Sequence, residues 1–185
     1  DMNPVMSFEH ILLYHQRGAV PEESYRVPIG KACVRKTGVD VTVVSYSLML
    51  QRCLAAADKL EKEGVSVEVI DLRSLCPLDM ETVLASVRKT GRLIIVHQAC
   101  LTGGVGAEIS ARVTEKAFDY LDAPVKRLAA RDVPVPFSPA SRSPPSASWL
   151  KICASTSIPL RERTGSCNPR GCWCHTAGVA PSSPM

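Results

Sequence analysis

Between residues 41 and 128, short apolar runs alternate with longer stretches whose apolar positions recur every three or four residues. The run Val41-Thr-Val-Val-Ser45 predicts a buried strand. Leu50, Cys53, Leu54, Ala57 and Leu60 then share one face of a helix predicted over 48–63, with Gly64 where a C-terminal cap belongs. Residues 65–70, rich in β-branched side chains, predict the next strand. A second helix follows, opened by Asp79 as N-cap, with Glu81 in its first turn and Arg88, Lys89 and Gly91 at its end. Its buried face is Met80, Val83, Leu84 and Val87. The third unit is a strand at 93–96, the turn Thr102-Gly-Gly-Val-Gly106, and a helix over 107–118 that buries Ile109, Val113 and Ala117. A short strand at 125–128 closes the run. Nearly continuous apolar strands alternating with helices predict βαβ units: an α/β, three-layer α/β/α sandwich with a mostly parallel sheet.

Outside this core the pattern changes. Pro4-Val-Met-Ser-Phe8 predicts an isolated strand, the last of a preceding domain, and residues 16–28 form a polar connection. Beyond Pro139 neither helical nor alternating period survives; residues 141–185 hold 9 Ser, 6 Pro, 3 Gly, four cysteines and both tryptophans. Such a segment buries too little apolar surface to offset its ordering entropy, which predicts a disordered tail. A frameshift or an alternative exon would account for so abrupt a change.

Composition narrows the classes. The chain has 185 residues and 20.0 kDa, 45% apolar and 22% charged, with a mean hydropathy of +0.05. It has no run of 18 apolar residues to span a bilayer. The net charge of +4 lies in the tail: residues 1–140 carry 17 basic and 17 acidic side chains, against 5 and one in 141–185. A balanced domain with few aromatics has no electrostatic footprint for nucleic acid. Cys33, Cys53, Cys76 and Cys100 stand singly in apolar stretches and read as small buried hydrophobes in a reducing compartment. The first residues, Asp-Met-Asn-Pro, carry neither an initiator Met nor a signal pattern, so the expectation is a start inside a longer chain.

Three features could carry chemistry. Gly103-Gly104-Val105-Gly106 sits between strand and helix, where backbone amides can hold phosphate. The dinucleotide fingerprint fails, however: Ile109 replaces the third small residue, Glu108 puts a negative charge in the first turn, and no acid ends a strand about 20 residues on. A close-packed structural turn is the expectation. His97, beside Gln98 at a strand's C-terminal end, lies on the sheet edge where α/β folds place ligands, though a lone His is more often a hydrogen-bonded structural residue. No Ser or Cys has the context of a hydrolytic nucleophile. Cys167, Cys172, Cys174 and His175 offer zinc-type ligands, but their spacing departs from the usual two-residue loops and favours chance clustering.

Ordered motifs then converge. Asp1-Met-Asn-Pro-Val, Phe8-Glu-His-Ile-Leu-Leu-Tyr14, Val27-Pro-Ile-Gly-Lys31, Val67-Glu-Val-Ile-Asp-Leu-Arg73, Pro77-Leu-Asp-Met-Glu-Thr82, Thr102-Gly-Gly, Gly106-Ala-Glu-Ile109, Phe118-Asp-Tyr-Leu-Asp-Ala-Pro124 and Asp132-Val-Pro-Val-Pro136 stand in one register. Over residues 1–140 the chain resembles the beta subunit of the thiamine-diphosphate-dependent 2-oxo acid dehydrogenase component, of pyruvate or branched-chain type. The resemblance implies the end of a pyrimidine-binding domain at 1–14, a linker at 15–30, a transketolase C-terminal-like domain at 31–140 and the tail at 141–185. It also implies an enzyme complex in which alpha and beta subunits form a heterotetramer. That assembly decarboxylates a 2-oxo acid and passes the acyl group to lipoamide on an acyltransferase core.

The resemblance places the carboxylate that activates thiamine diphosphate upstream of residue 1. No catalytic or cofactor-binding residue is therefore carried over, and this stretch alone is expected to be inactive, thiamine diphosphate and magnesium belonging to the complete enzyme. Two pairs are carried over. Asp1 and Asn3 match oxygen ligands of a potassium ion. Asp119 and Asp122 match acids that dock the basic subunit-binding domain of the dihydrolipoyl acyltransferase, where opposite charge steers association; the alternative is a pair of solvated surface acids. The implied partners are the alpha subunit, a second beta subunit and the acyltransferase, with no nucleic acid and no membrane. The implied location is cytoplasmic in a bacterium or the mitochondrial matrix in a eukaryote. Two positions depart from the family: Gln98 stands where it usually has Glu, and Ala140-Ser-Arg replaces Leu-Glu, so the family's C-terminal helix and that helix's contact with the acyltransferase are expected to be lost. The rival readings are a stand-alone interaction module and another transketolase-family enzyme.

Overall fold

A computed structural model describes residues 8–133. The predicted strand at 4–8, save Phe8, and the tail with its Cys167, Cys172, Cys174 and His175 lie outside the described residues. Five strands and three helices follow in chain order: β1 Cys33–Lys36, β2 Val41–Ser45, α1 Ser47–Lys62, β3 Val67–Asp71, α2 Met80–Thr90, β4 Leu93–Cys100, α3 Val105–Ala117 and β5 Lys126–Ala130. Short 3-10 turns occupy Ile11–His15 and Phe118–Tyr120.

The sheet order is β1-β3-β2-β4-β5, with β1 antiparallel to β3 and every other pair parallel. Alternation along each strand sends side chains to opposite faces. Val44, Ile70 and Ile95 pack with α2 and α3 through Val83, Val87, Ile109 and Val113. Val41, Val67, Val69 and Val96 pack with α1 through Met49, Leu50, Cys53 and Ala57. These are the three predicted layers, with a core on each side of the sheet. Each such apolar side chain taken fully from water contributes about 1.5–3 kcal/mol before entropy is counted.

Local chemistry sets the helix ends. The Asp79 carboxylate accepts from the Thr82 amide at 3.2 Å and the Thr82 hydroxyl at 2.8 Å, and also from the Ala32 amide at 3.0 Å. One side chain thus caps α2 and ties the approach to β1, a contribution of about 1 kcal/mol for the cap alone. Gly91 ends α2 in the left-handed conformation at φ 68°, its amide donating to the Val87 carbonyl.

Several boundaries differ from the sequence pattern: β3 begins two residues late, at Val67, and β5 runs two residues past Leu128. β1 carries only partly buried and exposed side chains on an antiparallel edge, so it has no apolar run to announce it. β4 extends four residues past Val96, beyond its apolar run. α3 starts at Val105 inside the glycine turn rather than at 107.

Candidate functional site

The two ends of α3 hold the features singled out by the sequence. At its N-terminus, on the C-terminal edge of the sheet, the glycine turn closes over β4. His97 is fully buried (0% exposed) and points to the α3 side. A side chain on Gly104 would come within 2.5 Å of both the Cys100 carbonyl oxygen and His97 Cε1. One on Gly106 would come within 2.5 Å of His97 Nε2. The glycines therefore exist to admit the imidazole, and the space that a phosphate motif would offer is filled by a ring. The expectation of a close-packed turn describes the geometry.

The expectation that His97 is hydrogen-bonded is corrected: neither ring nitrogen has a partner of ordinary hydrogen-bond geometry. Burial pushes its pKa below the ordinary value; the nearby Ala99 backbone opposes this and the Arg127 charge reinforces it. The buried site thus favours the neutral imidazole over the charged form. Gln98, next along β4, is exposed.

The rest of this edge is held by β5 and the residues after it. The Leu101 amide donates to the Ala130 carbonyl at 3.0 Å, and Arg127 Nη1 donates to the Leu101 carbonyl at 3.1 Å. The Asp132 carboxylate accepts from the Thr102 amide at 3.0 Å and its hydroxyl at 2.7 Å. That backbone amide, with the hydroxyl, holds the Asp132 carboxyl below its usual range. Asp132, the first residue of the Asp-Val-Pro-Val-Pro motif, thus fastens the Thr102-Gly-Gly motif 30 residues away.

At its other end α3 runs into the turn Phe118–Tyr120, which presents Asp119, with Asp122 two residues beyond. Both acids are exposed and neither belongs to an ion pair among the described residues. The Leu121 amide closes the turn on the Phe118 carbonyl at 3.0 Å, and the Asp122 amide donates to the Gly91 carbonyl at 2.7 Å, so the far side of the turn is anchored to the end of α2. Arg88 of α2 lies 5.4 Å from the Tyr120 ring centroid, within cation–π range. Asp119 and Asp122 are thus both exposed just beyond the end of α3, three residues apart in the chain. Asp1 and Asn3 lie outside the described residues.

One charged site went unannounced. Glu68 of β3 is buried and joined to Lys89 of α2, with the Gly38 amide donating to it at 3.3 Å. Burial pushes its pKa up most strongly, but Lys89, Ser86 and Gly38 together outweigh that and hold it down. The charged letter inside an apolar run was the available signal; its partner on another element was not. This pair joins sheet to helix.

Among the described residues no three His, Cys, Asp or Glu side chains cluster to hold a metal ion. The His97 ring also fills the glycine turn, so no phosphate group fits between these glycines. No described helix is long and apolar enough to cross a membrane.

Residues 30–143 match the family described as transketolase, C-terminal domain, and the chain belongs to that family. It is 50% identical over 139 residues to the pyruvate dehydrogenase E1 component subunit beta of Staphylococcus epidermidis and 46% identical over 141 residues to that of Bacillus subtilis. The matches cover 75% and 76% of this chain and 43% of each relative. The chain therefore spans less than half the length of these relatives. Among solved structures it is similar to a split-gene transketolase described as an inactive beta4 tetramer. That match has a TM-score of 0.54 and 34% identity, covering 63% of this chain and 39% of the other. The likeness expected from the motifs, to the C-terminal part of a dehydrogenase beta subunit, is borne out.

Proposed function

We propose that this chain serves as the assembly and docking part of a 2-oxo acid dehydrogenase beta subunit, acting on pyruvate or a branched-chain 2-oxo acid. In that reading it joins an alpha subunit and a second beta subunit and receives the basic subunit-binding domain of a dihydrolipoyl acyltransferase. The observation that carries it is the exposed, unpaired Asp119 and Asp122 on an anchored corner, in a chain about half identical to pyruvate dehydrogenase beta subunits. Unpaired exposed acids cost nothing in water and steer a basic partner. Thiamine diphosphate, magnesium and a potassium ion at Asp1 and Asn3 belong to the same proposal for the whole enzyme.

Titration calorimetry of the chain with a subunit-binding domain tests it. Binding is expected, and Asp119→Lys with Asp122→Lys is expected to abolish it; equal binding by the variant contradicts the reading. A decarboxylation assay of the purified chain with thiamine diphosphate and magnesium is expected to show no turnover. Turnover without an alpha subunit contradicts the non-catalytic part.

A further inference from the structure

The docking corner carries more than charge. Phe118 is 65% exposed and Tyr120 51% exposed, and they flank Asp119 in the chain. Exposed aromatic rings lose the benefit of burial unless a partner covers them, and aromatic side chains supply large contact area at small entropic cost. These two are also pre-positioned. Ala117 before them is buried, and Leu121 after them packs partly against the α2 and α3 core. The Leu121 and Asp122 amides bind the Phe118 and Gly91 carbonyls. The left-handed Gly91 has no side chain where one would meet the Asp122 carboxylate at 2.5 Å, so the acid can sit against the end of α2. Arg88 holds its guanidinium over the Tyr120 ring.

Charge and shape together define one occupant. A surface with two unpaired acids and two outward rings fits a basic domain that sets apolar side chains between its lysines or arginines. A purely ionic partner would leave the rings wet. We infer that Phe118 and Tyr120 are the apolar anchors of the docking corner, with Arg88 positioning the Tyr120 ring and Asp119 and Asp122 setting orientation and approach. The inference rests on the docking reading above and adds to it the residues that hold the complex once formed. Anchors act on dissociation, and exposed charges act on association and its salt dependence.

The experiment measures association and dissociation of an acyltransferase subunit-binding domain on the full chain at low and high salt. Phe118→Ala is expected to raise Kd about tenfold or more, through dissociation and equally at both salts. Tyr120→Ala is expected to do the same less strongly, Tyr120→Phe to bind as the wild type, and Arg88→Ala to weaken binding severalfold. Circular-dichroism melting should place these exposed-site variants within about 2 °C of the wild type; a variant that unfolds is replaced by Phe118→Ser or Tyr120→Ser. If Asp119→Lys with Asp122→Lys abolishes binding while Phe118→Ala and Tyr120→Ala bind normally, the anchors are refuted and the docking reading stands. If the charge reversal has no effect, or the wild type does not bind, the docking reading fails and the inference with it. If Phe118→Ala instead shifts the sedimentation of the chain alone, the rings belong to a contact between copies, and the inference is overturned.

Discussion

The two ends of α3 form an instructive contrast. Its N-terminal end has a recognisable site motif, glycines between strand and helix at the ligand-binding edge of an α/β sheet. Its space is nonetheless taken by the His97 ring, so the motif serves packing. Its C-terminal end has no glycine-rich or catalytic signature, only a stretch shared with a family, yet it presents unpaired acids and exposed aromatics on an anchored turn. Glycines show only that something approaches the backbone closely, and whether the visitor is a ligand or a side chain is decided by what the neighbouring strand points at it.

The largest expected effect breaks the closed end. Gly104→Val should destabilise the chain by about 3 kcal/mol in urea unfolding, since its Cβ meets the Cys100 carbonyl as well as the ring. At Gly106 the obstruction is mainly His97, so Gly106→Ala and His97→Ala should be far less than additive in a double-mutant cycle. Strict additivity would show that the ring does not fill the turn.

Next comes pH. The fold favours neutral His97, placing its folded pKa below the ordinary 6.5. Stability is therefore complete above pH 6.5 and declines as pH falls through that value toward the folded one, by at most about 1.4 kcal/mol per pH unit. His97→Gln should flatten the urea midpoint between about pH 7 and 5.5, and an unchanged slope would contradict the assignment.

A smaller effect sharpens the same end. Asp132→Ala should cost the Thr102 amide its hydrogen-exchange protection while leaving β4 protected, as expected of a surface clamp. The smallest effect falls on the open end: Asp119→Lys should leave stability within about 0.5 kcal/mol by urea unfolding. A larger loss would mean that this acid supports the fold.

Much of this fold is legible because apolar periodicity is what the sheet and helices require. Val83, Leu84 and Val87 are buried as spaced, Asp79 caps α2, and Ile109, Val113 and Ala117 face the sheet. β1 is not legible, because an edge strand held by backbone pairing, with only Cys33 and Val34 apolar and neither buried, has no apolar run to declare it. Asp119 and Asp122 came from motif resemblance, which says nothing of Phe118 and Tyr120, whose exposure depends on where the chain turns after Ala117. Glu68 and Lys89 are 21 residues apart, and only the packing of α2 on the sheet joins them.

Hydrogen exchange of the full chain, alone and with a subunit-binding domain, tests the contrast between the ends most directly. New protection is expected at residues 117–123 and none at 101–107. Protection at 101–107 with no change at 117–123 would contradict this contrast.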